Sequence, residues 1–272
     1  NPDINTPASA KATTLIFLGD YCLRENDNPK LSPAAEGLFS QADAISVNFE
    51  APITKARMQA AAKTGPALSQ VSASIALCKK IGITHCALAN NHIMDFGDEG
   101  LKESLSQLKG IVTMGAGFSF DEIYEPSWFE HDEKKVALFS FAEAQFGVWQ
   151  EERQCTAGFA WIDHPKARAA IREANSKASW VIVQVHAGLE MVDIPLPEWR
   201  SRYRELIDLG ADLVVGHHPH VIQGSECYKD KMIHYSLGNF YMGAMLEEQS
   251  SGAALRVTIC DNDIQSEFIP LT

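Results

Sequence analysis

The sequence has no long apolar run and no surplus of basic residues, and each absence excludes a class of protein. A membrane-spanning helix needs about 18 or more consecutive apolar residues, and no such run occurs among the 272 residues. The formal net charge is −12, from 35 acidic and 23 basic residues. A surface of that charge repels a phosphate backbone, so we expect no nucleic-acid partner.

The sequence also has no dense group of cysteines. Its six cysteines are dispersed over the whole chain without a Cys-x-x-Cys pair, which excludes a small disulfide-stabilised scaffold. A chain of this length buries a substantial core without disulfides, and its 46% hydrophobic residues are typical of a globular protein. Dispersed thiols are compatible with a reducing cytoplasm, which we favour as the compartment.

Short apolar runs alternate with segments of helical periodicity, which is the pattern of an α/β protein with much parallel pairing. The predicted strands are residues 14–18, 44–49, 84–88, 136–141, 180–185, 213–215, 232–235 and 254–259. Three predicted helix faces are Val71, Ile75 and Cys78; Leu101, Leu105 and Leu108; and Trp199, Tyr203, Leu206 and Ile207. Little helix separates the last two strands, which predicts antiparallel pairing near the C-terminus. We expect a flexible segment over residues 1–13 and a single domain over residues 14–272.

Five predicted strands end in side chains that carry carboxylate, amide or imidazole groups. These are Asp20, Glu50, Asn91 with His92, His186, and His218 with His220. Taken singly, each is typical of a turn, but open α/β sheets place their ligand sites at the carboxyl ends of strands. We therefore predict that these side chains converge on one or two divalent cations. Mixed nitrogen and oxygen donors without a thiolate cluster favour Mn²⁺, Fe or Zn²⁺ over Ca²⁺.

Six longer phrases contain these residues. They are GDYCLRE (19–25), VNFEAPIT (47–54), LANNHIMDFGDEGL (88–101), VHAGLE (185–190), GADLVVGHHPHVIQGSE (210–226) and IHYSLGNF (233–240). In this order, from about residue 14 to about residue 245, they resemble the CapA family of poly-γ-glutamate capsule synthesis proteins, which belong to the calcineurin-like metallophosphoesterase superfamily. The resemblance implies a calcineurin-like metallophosphatase fold of the α/β class. In that fold two mixed β-sheets are sandwiched between helices in four α/β/β/α layers, with a metal centre at the strand ends.

The resemblance carries the superfamily's motifs onto this sequence with two departures. The first motif, Asp-x-His, matches at Asp20 but has Cys22 in place of the histidine, and Glu50 replaces the usual bridging aspartate. The remaining matches imply Asn91, His186, His218 and His220 as metal ligands and His92 as general acid or transition-state stabiliser. The first metal position is therefore empty, loosely held, or completed by water or by a Cys22 thiolate, which would favour Zn²⁺. The alternative for Cys22 is a plain packed thiol.

Three further polar residues have two interpretations each. Glu143, in FAEAQF (141–146), resembles an acidic position in a subset of CapA-like sequences and is either a substrate-site group or a solvated loop carboxylate. Glu190 either orients a ligating imidazole or caps its loop. Arg24 either binds a substrate carboxylate or phosphate bidentately or is an ordinary surface arginine. His85 and His234 lie inside apolar strands and are predicted to be core residues.

These observations predict a CapA-like metal-dependent hydrolase linked to poly-γ-glutamate or capsule metabolism. Its catalytic candidates are His92, Glu143 and Arg24, and its substrate is a phosphoester or a γ-glutamyl or other acidic peptide. One alternative is a metal-dependent peptide epimerase or lyase with Glu143 or His92 as the base. Another is a non-catalytic component that grips an acidic polymer during synthesis or export. The resemblance also allows an extracytoplasmic domain whose membrane anchor has been removed.

Overall fold

The computed structural model describes residues 12–55, 57–151, 155–243, 252–260 and 262–271. In chain order the elements are β1 (Thr13–Tyr21), α1 (Pro33–Phe39), β2 (Ala44–Phe49), α2 (Ala73–Ile81), β3 (His85–Ala87), α3 (Gly97–Gln107), β4 (Val112–Met114), β5 (Ala116–Gly117), β6 (Ser127–His131), β7 (Lys134–Ala142), β8 (Gly158–Phe159), α4 (Pro165–Asn175), β9 (Trp180–His186), α5 (Pro197–Leu209), β10 (Leu213–His217), β11 (Ile222–Tyr228), β12 (Lys231–Leu237), β13 (Asn239–Tyr241), β14 (Gly252–Cys260) and β15 (Asp263–Leu271). Residues 1–11 of the predicted flexible segment lie outside the described residues. Among the described residues, no helix combines the length and the hydropathy that crossing a bilayer requires.

Two mixed sheets form the centre of the fold. The first has the strand order β15-β14-β1-β2-β3-β4, with β13 beside β1, and the second has the order β11-β12-β10-β9-β7-β6. Strands β1 to β4 are parallel, as are β7, β9, β10 and β12. Strands β14 and β15 are antiparallel to their neighbours, as predicted for the C-terminal part, and so are β6 and β11.

Alternate residues of the central strands fill the layer between the two sheets. Leu15 and Phe17 of β1 share one buried cluster with Leu213 and Val215 of β10. Because successive side chains of a strand point to opposite faces, the intervening residues must be covered from outside. This burial on both faces explains why the central strands are continuous apolar runs rather than alternating ones.

Helices cover the outer faces and complete the four layers. Ile75 and Cys78 of α2 pack in the same cluster as Ile16 of β1, on the outer face of the first sheet. Tyr203 and Leu206 of α5 lie in a separate cluster on the outer face of the second sheet. The predicted helix faces are therefore core-facing, and the predicted α/β/β/α layering is confirmed.

The carboxyl ends of the parallel strands of both sheets lie at the same edge, and β1 has an irregular end there. Its pairing with β2 shifts register between Leu18 and Asp20, so Gly19 is an extra residue in the strand. A Cβ atom at Gly19 would lie 2.0 Å from the carbonyl oxygen of Gly238, so only glycine fits this approach. The bulge places Asp20 at the buried carboxyl end of β1.

Candidate metal centre

Six polar side chains from the two sheets meet at this edge and are almost completely buried. They are Asp20 and Glu50, each 0% exposed, with His186 and His218 at 2%, His220 at 6% and Asn91 at 9%. Asp20 lies in β1, and Glu50 and Asn91 follow strands β2 and β3 of the first sheet. His186 ends β9, and His218 and His220 follow β10 of the second sheet. The structure therefore brings together all six residues that the sequence predicted as metal ligands.

The Nε2 atom of His186 lies close to three other predicted ligands. It lies 3.0 Å from Asn91 Oδ1, 3.0 Å from His218 Nδ1 and 3.9 Å from Glu50 Oε1. Burial lowers the pKa of His186 well below its usual range, and the neighbouring imidazoles lower it further. The ring is therefore neutral near pH 7, which is the form that binds a metal.

A carboxylate and an imidazole form the Asp20 side of the centre. His220 Nδ1 lies 3.2 Å from Asp20 Oδ2, and its Nε2 lies 3.6 Å from Glu50 Oε1. Burial alone would raise the pKa of Asp20, but the hydrogen bond and charge of His220 outweigh it and hold this pKa below its usual value. Burial opposes the charged form of His220, yet Glu50 and Asp20 raise its pKa to about 10.

Glu50 is the clearest sign that the centre fits a cation. Within the described part of the chain, neither of its carboxylate oxygens has a hydrogen-bond partner, although the residue is fully buried. Burial raises its pKa to about 8, because an ionised carboxylate is unfavourable at this position. A buried carboxylate is normally paired or bound to a metal, so the orphaned oxygens and the surrounding nitrogen and oxygen donors fit a divalent cation. Asp20, Glu50 and His186 each offer an atom within 4.8 Å of the others.

Two residues of the centre were not predicted from the sequence. Asn48 lies between the sheets, where its Nδ2 donates to Asp20 Oδ1 at 2.7 Å and lies 3.0 Å from His186 Nδ1. His217 is 1% exposed, its Nδ1 lies 3.8 Å from Asp20 Oδ1, and neither ring nitrogen has a hydrogen-bond partner among the described residues. Both residues lie at the ends of predicted strands, and that position could have identified them as members of the centre.

His92 lies beside the centre and is held by a neighbour on its own loop. Its Nδ1 lies 2.7 Å from Asp95 Oδ2, and the buried Lys63 forms an ion pair with Asp95 and approaches His92 Nδ1 to 3.2 Å. His92 and Lys63 line a cavity of about 630 Å³ together with Asn91, Phe146, Glu190 and His220, among others. The three-residue spacing of His92 and Asp95 could have predicted their contact from the sequence. Nothing in the sequence indicates the contact with Lys63.

Glu143 reaches the centre from the end of β7. Its Oε1 lies 3.5 Å from His218 Nε2 and accepts hydrogen bonds from the Gln145 side chain and the Gly188 backbone, at 2.8 and 3.3 Å. Burial raises the pKa of this carboxyl group. The structure therefore places Glu143 against a predicted ligand and not in a solvated loop.

Arg24 and Cys22 lie to one side of the centre. Cys22 is buried in a small cluster with Ala51, Leu68 and Met242, and its Sγ lies 3.8 Å from the Ser69 carbonyl oxygen. Burial, with the charge of Glu50, raises the pKa of the thiol to about 12, and this geometry is that of a packed thiol. Arg24 is half-buried next to Cys22 and does not line the cavity beside His92. A role for Arg24 in substrate binding stays a prediction.

The two sheets and the polar centre at their common edge define a calcineurin-like metallophosphatase fold. A solved protein of Staphylococcus aureus, provisionally described as a 5′-nucleotidase and bound to α-ketoglutarate, is similar with a TM-score of 0.60. That similarity covers 96% of this chain and 54% of the other, at 14% identity. Within this class, the chain belongs to the bacterial capsule synthesis protein family PGA_cap, whose model matches residues 14–244.

Two curated relatives agree with that assignment. The PGA biosynthesis protein CapA of Bacillus subtilis is 32% identical over 208 residues, which are 75% of this chain and 54% of the relative. The capsule biosynthesis protein CapA of Bacillus anthracis is 29% identical over 232 residues, which are 82% of this chain and 56% of the relative. The resemblance to CapA is confirmed, and the chain spans about half the length of these relatives.

Proposed function

We propose that this chain is a metal-dependent hydrolase whose substrate binds in the cavity beside His92. The observation that carries the proposal is the buried Glu50 carboxylate, unpartnered among the described residues and surrounded by imidazole and amide donors from both sheets. The adjoining cavity of about 630 Å³ gives a small molecule or the end of a polymer access to this centre.

The ligand set proposed for one or two divalent ions is Asp20, Glu50, Asn91, His186, His218 and His220. When bound, Mn²⁺ or Zn²⁺, with Fe as a further candidate, polarises a phosphoryl or carbonyl oxygen and makes water a nucleophile near neutral pH. The neutral imidazole of His186 and the ionised Asp20 suit this role because neither has to lose a proton first.

His92 and Asp95 supply the proton transfer. Asp95 accepts a hydrogen bond from His92 Nδ1, which fixes the ring and leaves Nε2 available to a molecule in the cavity. His92 then donates a proton from Nε2 to the leaving group, and the Asp95 carboxylate stabilises the charged ring. Lys63 completes the cluster by pairing with Asp95.

The substrate class follows from the fold and from the relatives. The metallophosphatase fold favours a phosphoester, and the names of the relatives, which refer to PGA and capsule biosynthesis, favour a γ-glutamyl or other acidic peptide. The net charge of −12 opposes the approach of any such anion. The bound cations would supply the local positive charge that offsets this repulsion, because Lys63, which also lines the cavity, is already paired with Asp95.

His218→Ala tests the hydrolase proposal. The wild-type protein, reloaded with Mn²⁺ after chelation, is expected to cleave a chromogenic phosphodiester or a γ-glutamyl anilide, and His218→Ala is expected to lose metal and turnover together. Metal content is measured by mass spectrometry and turnover by absorbance. Full activity in metal-stripped His218→Ala would refute the proposal.

A binding function is the second candidate, and the packed Cys22 is the observation that favours it. Because Cys22 stands where the superfamily's first motif has a histidine, one ion position lacks a donor that catalysis normally uses. A protein of this kind would use its cation to hold an acidic polymer. Mn²⁺ would then raise the affinity for poly-γ-glutamate, and no cleavage product would form during prolonged incubation.

A further inference from the structure

The loop after β9 packs against the loop after β10, and this contact places Glu190 at the mouth of the centre. The backbone N–H of Met191 donates to the Pro219 carbonyl oxygen at 2.9 Å, and the N–H of Ala187 donates to the His217 carbonyl oxygen at 3.1 Å. Glu190 lies between these two hydrogen bonds in sequence. The Glu190 carboxylate has an oxygen within 4.8 Å of a ring nitrogen of His218 and of His220, on the loop after β10 (the histidine loop).

Glu190, His218 and His220 form a second group with the spacing of metal ligands. Each offers one ligand atom, and these atoms lie within 4.8 Å of one another. The group shares no residue with the inner group of Asp20, Glu50 and His186. His220 still connects the two groups, because its Nε2 lies 3.6 Å from Glu50 Oε1.

The backbone around this second group is held in a strained conformation. Met191, His218 and His220 have φ values of 62°, 97° and 58°, which lie in the left-handed region that residues other than glycine rarely adopt. Such conformations persist only where the surroundings fix them. The Met191 N–H donates to the Pro219 carbonyl oxygen, Gln223 Nε2 donates to the Val192 carbonyl oxygen at 2.7 Å, and the His218 N–H donates to Asp20 Oδ2 at 3.1 Å. These hydrogen bonds hold the two loops in place.

We propose that Glu190 is a metal ligand that completes a second, outer cation site with His218 and His220. The proposal rests on the proposed function and assigns to the outer ion a third protein donor that the six predicted ligands do not supply. Carboxylate and imidazole donors together suit Mn²⁺ or Zn²⁺. Glu190 is exposed and lines the cavity, whereas the inner group is fully buried. The outer ion is therefore the one that exchanges with solvent and meets the substrate.

Titration of the metal-free protein with MnCl₂ alone tests this site without any substrate. Calorimetry and the electron paramagnetic resonance signal of free Mn²⁺ count the bound ions. Wild type is expected to bind two Mn²⁺ ions per chain and Glu190→Gln one ion at the same free concentration. The matched control is Asp193→Asn on the same loop, exposed and absent from the cavity lining, which is expected to bind two.

Two outcomes overturn the assignment of Glu190: a Glu190→Gln protein that still binds two ions, and a wild-type protein that binds only one. Because Glu190 is exposed, the metal-free variant is expected to unfold at the wild-type urea concentration, which excludes misfolding as the cause of ion loss. The hydrolase proposal fails separately. If Glu190→Gln loses one ion while the metal-loaded wild type cleaves no substrate, the result supports the outer site and contradicts the proposed hydrolase activity.

Discussion

At the scale of single residues, the environment of His92 shows how one buried carboxylate can hold an imidazole in place. Asp95 Oδ2 lies 2.7 Å from His92 Nδ1 and also accepts the backbone N–H of Leu68 at 2.7 Å. Lys63 pairs with the other oxygen. Each oxygen of this buried side chain therefore has a partner, and the imidazole is held in one tautomer and one orientation.

Asp95→Asn is expected to lower kcat by roughly 100-fold or more and to change KM little, because the amide stabilises the protonated His92 poorly. It is also expected to lower the free energy of unfolding by about 1–3 kcal/mol, since Lys63 loses its ionic partner in a buried position. Steady-state kinetics and urea unfolding measure the two effects. The control is Glu99→Gln, which is exposed on α3. A wild-type kcat in Asp95→Asn would remove Asp95 from the mechanism.

At the scale of elements, the contact between β10 and β12 sets the position of the histidine loop. The two strands pair in parallel from Leu213 to Val215, and Gly216 comes next. A Cβ atom on Gly216 would lie 1.9 Å from the Tyr235 carbonyl oxygen, so the strands approach as closely as they do only because this residue has no side chain. His217 and His218 follow immediately and take their positions from this contact.

Gly216→Ala is therefore expected to push β10 away from β12 and to lower the free energy of unfolding by about 3 kcal/mol. The affinity for Mn²⁺ should fall as well, since His218 and His220 are carried on the displaced strand end. Urea unfolding and calorimetry provide the two measurements. Gly224→Ala in β11 is the matched control, because a Cβ there meets nothing within 4 Å. Equal stability of the two variants would contradict the close-approach argument.

At the scale of the whole molecule, the candidate metal centre joins the two sheets. Asp20, Glu50 and Asn91 lie in or just after strands of the first sheet and the three histidines in or just after strands of the second, so a bound cation would link the sheets. A ligand that binds only the folded state stabilises it by about 2.7 kcal/mol at 100 times its Kd. Chelation with EDTA is accordingly expected to lower the Tm, and restoring Mn²⁺ should recover it, as measured by calorimetry. A Tm that neither EDTA nor Mn²⁺ changes would argue against a cation shared by the sheets.

Buried histidines away from the centre predict how the molecule responds to acid. His234 is 2% exposed between the hydroxyl groups of Ser225 and Ser266, and burial lowers its pKa to about 4. The unfolded chain has a histidine pKa near 6.5, so it binds the proton more readily than the folded chain does. The stability that neutral His234 contributes is full above about pH 6.5 and is lost as the pH falls toward 4.

His234→Gln is expected to reduce this acid-induced loss by up to about 3 kcal/mol, even where it lowers the stability at pH 7. The measurement is the free energy of unfolding in urea at pH 7, 5 and 4, and the quantity compared is its slope with pH. His85, whose pKa burial also lowers to about 4, stays in both proteins and contributes equally. Identical slopes for variant and wild type would contradict the assignment.

The central strands and the convergence of six polar residues at their ends could be predicted from the sequence because their signals are local. A strand buried on both faces is a continuous apolar run in the sequence, and the first polar residues after the run mark its carboxyl end. The edge strands β6, β11 and β15 escaped prediction because one face of each is exposed, which breaks the apolar run into short alternations. The role of Lys63 was not predicted for a different reason. Lys63 contacts Asp95 from a loop 32 residues earlier in the sequence, and no spacing pattern predicts such a contact.

The apolar layer between the sheets extends toward the candidate metal centre, and its thickness sets the distance between predicted ligands on facing sheets. His186 approaches Glu50 from the opposite sheet, with 3.9 Å between Nε2 and Oε1. Because interiors are tightly packed, a larger or smaller side chain at Phe17 or Leu138 in that layer would alter this separation. The radius of the ion that the candidate metal centre would accept is thus governed in part by hydrocarbon groups outside the predicted ligand set.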